Sequence, residues 1–414
     1  MNTPLQPQVK MRLGLMALAF TAYISLGLPD GLLGVAWPSM RHDFSLNHDS
    51  FGALMIAFTV GYLSASFFGG RLMAHFRLGT ILTASTFSAA IALLVYSVAP
   101  LWWIIVLAFV AAGLGGGGID VSLNNYVAAN HGDALMQWLH ASYGVGATMG
   151  PVIMTTALTL TGGWRPGYLL VGLLQLALMI SFLFTISMWE DQDKSLAASQ
   201  KTNPVNSHNA TMRTTLRHPG VWWSIFIFFI YMGVEVSFGA WSYSLLTESR
   251  EVATKLAGYW VGSFWGIFTV GRIFAGIYTS RIGRLKLITG SFLTALFASV
   301  ILALDANNAA SLAAIIIIGL AIAPVLPALI SGTADRVGPR LAANTIGIQI
   351  AAMGVGGATI PSICGVMAKR FSLEAIPVFM IILIIILIFS ETTSTPFLSE
   401  EWMSLLNWPI TTAE

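Results

Sequence analysis

Between Gly113 and Pro151 the chain places Asp120, Asn124, Asn125, Gln137 and His140 within segments that are otherwise nearly all apolar. Asp120 and Asn124 are four residues apart, so on a helix they share one face. Gly113, Gly116 and Gly117 precede them on that face, and residues without side chains let a neighbouring backbone come close. An ionisable group inside an apolar span costs at least ~2.5–3.5 kcal/mol on insertion scales, so by default it marks a proton or solute site. An acid that exchanges protons, beside amides that hydrogen-bond hydroxyl groups, suits ion-coupled movement of a polar solute. The plainer role for the same set is helix glue, with Asp120 satisfied by Asn124 and by His140 on the next segment.

Other polar residues sit at similar depth. Asp30 lies between Pro29 and Gly31. That triplet is expected to break its helix, which a membrane tolerates only where the freed backbone lines protein or a wet cavity. Glu235 falls near the middle of its segment, with Arg272 on the next one. Glu235 is read as a coupling or substrate residue, or else as half of an ion pair with Arg272. Asn124, Asn125, Gln137, Tyr231, Trp241 and Gln349 are the suppliers of amides and aromatic faces for a solute. Trp102 and Trp103 begin a segment and are expected in the interfacial aromatic belt.

These residues must be positioned by helices in a bilayer. Of 414 residues, 56% are hydrophobic and 9% charged, against about 25% charged in soluble domains. Spans of about 20 apolar residues are expected near 13–37, 50–70, 79–98, 101–127, 134–161, 166–189, 219–246, 254–280, 286–304, 309–330, 342–368 and 373–391. The organisation is a six-helix half over 1–189, a polar and flexible linker over 190–217, a second six-helix half over 218–392, and a tail over 393–414. With the N-terminus inside, thirteen Lys and Arg face the cytoplasm and six face out, with Arg272 inside a span. The positive-inside rule then puts both termini in the cytoplasm of a multi-pass inner or plasma membrane protein. A net charge of +2 says nothing about nucleic acid, and no nucleic-acid partner is expected; the single Cys364 allows no disulfide framework within one chain and no Cys-based metal site.

The halves repeat. Phe58-Thr-Val-Gly61 recurs as Phe268-Thr-Val-Gly271, Ala141-Ser-Tyr-Gly144-Val-Gly146 as Ala351-Ala-Met-Gly354-Val-Gly356, and Pro151 as Pro361, all at one offset of 210. A shared offset across separate spans argues for duplication. Odd spans match odd spans, so the repeats are parallel, as in rocker transporters with a site between the halves. Pro324 and Pro327 are expected to kink the tenth span.

Gly276-Ile-Tyr-Thr-Ser280-Arg281-Ile-Gly283-Arg284-Leu-Lys286 resembles the loop signature of the major facilitator superfamily, with Ser280 where Asp is usual. The resemblance implies an all-α membrane protein of twelve transmembrane helices in two parallel six-helix repeats. It also implies a gate latched by charge at this loop, here with partners other than the missing Asp. Asp120-x-x-x-Asn124, Leu139-His140-Ala-Ser-Tyr143-Gly-Val-Gly146-Ala-Thr-Met-Gly150-Pro151, Gly163-Trp-Arg-Pro-Gly-Tyr168 and Pro29-Asp30-Gly31 resemble the fucose:proton symporter family and its uncharacterised bacterial and fungal relatives. In that family, acids of the first and fourth spans serve proton coupling and sugar binding, which implies these roles for Asp30 and Asp120.

The reading is a proton symporter of a sugar or polyol working by alternating access, expected as a monomer in the lipid bilayer, with no cofactor and no enzymatic chemistry. Asp30, Asp120, Glu235 and His140 would carry protons. Gly146, Gly150, Pro151, Pro361, Arg272 and Arg281 would serve gating or structure. Efflux of a drug-like compound by proton antiport is the main alternative, since Gly146-x-x-x-Gly150-Pro151 also matches the signature of drug-exporting facilitators. A transport-dead receptor with this fold is the other.

Overall fold

In the bilayer every backbone N–H and C=O needs an internal partner, so apolar spans close into helices. The computed structural model describes residues 13–130, 133–200 and 211–394, and all of its long elements are helical. They are α1 (Leu13–Asp43), α2 (Phe51–His75), α3 (Leu78–Val98), α4 (Trp102–Asn130), α5 (Asp133–Thr161), α6 (Arg165–Gln200), α7 (Met212–Arg217), α8 (Pro219–Ser244), α9 (Thr254–Ile282), α10 (Arg284–Leu304), α11 (Asn308–Ile322), α12 (Val325–Ser331), α13 (Thr333–Val337), α14 (Pro339–Arg370) and α15 (Ala375–Ser394). Eleven segments among the described residues are long and apolar enough to span a membrane. The remaining expected span, α9, has 29 residues but carries Arg272 and is less apolar. The twelve expected segments each coincide with a helix, the tenth being divided between α11 and α12.

The chain forms two compact units. Among the described residues, the first joins those of 1–206 with those of 239–269, and the second joins those of 207–238 with those of 270–414. In the first unit α1 packs on α5, α2 on α4, and α3 on both α4 and α6. In the second, α10 packs on α11 and α15, the same relation that α3 has to α4 and α6. The apolar core of the first unit includes Leu15, Tyr23, Leu82, Ile119, Leu123, Phe182 and Trp189. Phe67, Phe184 and Leu160 are highly exposed, as lipid-facing side chains should be.

The glycines of α4 divide between two neighbours. A Cβ on Gly113 would run into the Phe58 carbonyl and one on Gly117 into that of Tyr62, both on α2. A Cβ on Gly115 or Gly118 would meet Ser85 on α3. The run is therefore a backbone squeezed from two sides. Helices α1 and α5 interlock similarly. Gly27 and Gly31 meet the carbonyls of Tyr143 and Ala147, while Gly146 and Gly150 meet those of Ile24 and Leu28.

Three local expectations change. Helix α1 passes through Pro29-Asp30-Gly31 without interruption. The close grip of α5 on Gly27 and Gly31 holds the chain helical despite the hydrogen bond lost at Pro29. The polar stretch read as a linker starts as a continuation of α6 to Gln200, and Met212–Arg217 is a short helix capped by the Thr211 hydroxyl; residues 201–210 and most of the tail lie outside the described residues. Trp103 is 69% exposed, but Trp102 packs against Trp37 and Phe44 and belongs partly to the interior.

The tenth span breaks between Ile322 and Val325, where Pro324 and Pro327 remove donors. At the loop signature, Gly283 has φ +85°, a conformation open to glycine and strained for other residues.

Candidate functional site

In the first unit the i, i+4 spacing of α4 and the approach of α2 at Gly113 and Gly117 bring four side chains together. Tyr23 Oη on α1 donates to Asp120 Oδ1 at 2.8 Å. Tyr62 Oη on α2 donates to Asp120 Oδ2 at 2.5 Å. Asn124 Nδ2, one turn along α4, donates to Asp120 Oδ1 at 2.9 Å. Asp120 has no ion-pair partner among the described residues. Among the described residues Asn124 Oδ1 is buried without a hydrogen-bond partner. The carboxylate thus sits among neutral donors, with one acceptor of the cluster left open.

His140 on α5 was read as facing Asp120. Its ring meets Tyr23 edge-on at 5.5 Å between centroids, and Tyr23 in turn bonds Asp120. Asp30 accepts a hydrogen bond from Tyr143 Oη at 2.5 Å. Its side chain is exposed although it lies in the middle of α1. Asn125 is exposed and lies against Met73 Sδ at 3.9 Å. Gln137 lies on α5, but its side chain is outside the described residues. Trp241 is 1% exposed and packs on Phe51, with ring centroids 5.1 Å apart.

The second unit holds its own polar cluster. Glu235 is 6% exposed. Tyr231 Oη lies 2.6 Å from Glu235 Oε2 and 2.9 Å from the Ile322 carbonyl at the break of the tenth span, two acceptors for its one proton. Arg272 reaches both carboxylate oxygens, at 3.3 and 3.4 Å. Gln349 is fully buried, and its amide bridges Thr333 and Ser224 at 3.1 and 2.5 Å. Gly356 on α14 packs against the Phe229 carbonyl, five residues before Pro361.

The loop signature finds other charges, as its missing Asp required. Arg284 pairs with Asp335, and Arg336 lies 3.9 Å from Glu391. Arg281 is exposed at the end of α9, and the side chain of Ser280 lies outside the described residues.

The major facilitator superfamily profile matches residues 18–361, most of the chain. The chain belongs to that superfamily. It is a multi-pass membrane transporter and not an enzyme. It is 25% identical over 407 residues to Bypass of stop codon protein 6 of Saccharomyces cerevisiae, covering 91% of this chain and 81% of the yeast protein. It is 21% identical over 358 residues to the glucose/mannose transporter GlcP of Bacillus subtilis, covering 85% of this chain and 87% of that one. Among solved facilitators, the nucleoside transporter NupG superposes with a TM-score of 0.74 at 12% identity, over 92% of this chain and 100% of that one; this shows the fold alone.

The residue that sequence reasoning missed is Tyr62. It occupies the repeat position of Arg272, so both units use this register to direct a donor at an acid inside a span. The repeat offset flagged the position. That the two acids come from different spans, α4 and α8, hid its role.

Proposed function

We propose that this transporter carries a sugar or polyol by proton symport with alternating access, and that Asp120 takes and releases the proton. The observation that carries the reading is the setting of Asp120. A carboxylate held by Tyr23, Tyr62 and Asn124 keeps neutral partners in either protonation state, because hydroxyl and amide groups both donate and accept. A fixed cation would instead bind the ionised form and hold it. Beside it, Asn124 Oδ1 is a buried acceptor with no partner among the described residues, suited to a substrate hydroxyl. Asp30 with Tyr143 is the second proton-accepting group, and Glu235 with Arg272 supplies the charge pair of the second unit.

The relative named as a glucose/mannose transporter supports the solute class. Efflux by proton antiport would use the same acids. Gly146 and Gly150, the small residues of that signature, are accounted for by their packing on α1, which leaves the efflux reading without a feature of its own.

The test is accumulation of labelled glucose, mannose and polyols in proteoliposomes under an imposed pH or sodium gradient. Accumulation driven by protons, and lost in Asp120→Asn, is expected. Accumulation that follows sodium alone, or proton-driven export only, would overturn the proposal.

A further inference from the structure

We propose that the Asn124 side-chain amide is a rotor that reports the protonation state of Asp120 to the bound solute. The inference rests on the reading of Asp120 as the proton site and assigns the residue that links proton to substrate.

The geometry is specific. A carboxylate only accepts hydrogen bonds, so the amide must turn its nitrogen to it. Asn124 Nδ2 accordingly lies 2.9 Å from Asp120 Oδ1, and Oδ1 of the amide is buried and without a partner among the described residues. A buried polar atom left unpaired costs about 1–3 kcal/mol, so this is a poor resting arrangement for a structural asparagine. It is a reasonable one for a group that waits for a ligand donor.

When a proton reaches Asp120 Oδ1, that oxygen becomes a donor. It needs an acceptor, and the Asn124 nitrogen cannot serve. Turning the amide about its last torsion places Oδ1 against the new O–H and sends the N–H group outward. The face offered to the solute then changes from acceptor to donor. No atom moves far, and no bond other than the carboxyl O–H is made or broken.

The other titratable groups around Asp120 are Tyr23 on α1 and Tyr62 on α2, with His140 of α5 edge-on to Tyr23 and Asp30 farther along α1. The tyrosine hydroxyls can also turn to accept the new O–H, Tyr23 Oη lying on the same Oδ1, but each has a single oxygen and offers nothing different to a solute when it turns. Asn124 is the member of the cluster with one polar atom on the acid and one turned away from it.

The experiment needs no known substrate. Infrared difference spectra of the purified full-length protein in lipid are recorded across a pH titration. The carboxylic band of Asp120 is assigned by its loss in Asp120→Asn. Asparagine labelled with carbon-13 at the side-chain carbonyl identifies the amide band, and Asn124→Leu assigns it to this residue. The expected result is an Asn124 amide band that shifts with the same midpoint as the Asp120 carboxylic band. An Asp120 band that titrates with no accompanying asparagine amide shift in the labelled protein defeats the rotor and leaves the symport reading intact. No carboxylic band from Asp120 at any pH the protein tolerates defeats the proton assignment itself. Should Asn124→Leu fail to fold, the isotope shift in the labelled wild type still decides whether an asparagine amide follows the acid, and Asn124→Asp then replaces it in assigning the band.

Discussion

Asp120 and Glu235 are both acids inside spans, yet their partners predict different consequences of neutralisation. Asp120 is held by three neutral donors, so Asp120→Asn should fold and keep downhill exchange of solute while losing proton-driven accumulation. The paired measurement is exchange against accumulation in the same proteoliposomes; accumulation equal to wild type would remove the proton from Asp120. Glu235 is 6% exposed and faces Arg272. Removing one partner of a buried pair leaves the other charge uncompensated, at a cost of about 3–5 kcal/mol. Glu235→Gln is therefore expected to lower the melting temperature markedly. Adding Arg272→Gln should recover part of that loss. Independent, additive losses in the double variant would mean that the pair contributes no coupling and that Glu235 is free to titrate in transport. Asp120 and Asn124 were legible in the sequence because one helix sets their spacing. Tyr62 as a partner was not, because a contact between α2 and α4 depends on which faces the glycines bring together. His140 was read as a partner of Asp120 from its span alone, and its ring lies edge-on to Tyr23, which bonds the acid.

Helices in this protein are positioned by where side chains are missing. Gly113 and Gly290 show the contrast. A Cβ on Gly113 would enter the Phe58 carbonyl, whereas one on Gly290 of α10 meets nothing within 4 Å. Gly113→Ala should lower stability by roughly 1–3 kcal/mol through overpacking. Gly290→Ala should raise it by about 0.4–1 kcal/mol, because alanine restricts the unfolded chain and suits a helix interior. Thermal unfolding of the two variants in one detergent checks both signs. A neutral Gly113→Ala would mean that α2 and α4 can separate at little cost. The sequence showed where helices lie, since length and apolarity decide that in a bilayer. It did not show which prolines break them. Pro29 lies in an unbroken helix gripped by α5, while Pro324 and Pro327 mark a real interruption whose freed Ile322 carbonyl is taken up by Tyr231. The difference lies in tertiary contacts that neither proline announces.

At the scale of the whole molecule, the duplication at one offset puts α5 in the first repeat and α9 in the second. They nonetheless meet along a regular seam. Gly258, Gly262 and Gly266 recur every fourth residue on α9. A Cβ on Gly258 would meet Thr155, one on Gly262 would lie 3.4 Å from Val152 Cγ2, and one on Gly266 3.4 Å from Thr148 Cγ2. Gly144 continues the row against Thr269. The glycines of α9 receive the side chains of Thr155, Val152 and Thr148 of α5. Alternating access, as proposed, requires it to part in each cycle, since one repeat rocks against the other. A covalent link across the seam should therefore stop transport while leaving the solute site intact. Thr148→Cys with Gly266→Cys places two thiols where the approach of the helices suits a disulfide, and the native Cys364 is buried and does not compete. Oxidation is expected to abolish accumulation and keep solute binding, and reduction to restore transport. A fully crosslinked protein that transports at the wild-type rate would show that α5 and α9 move as one body and that the moving boundary lies elsewhere.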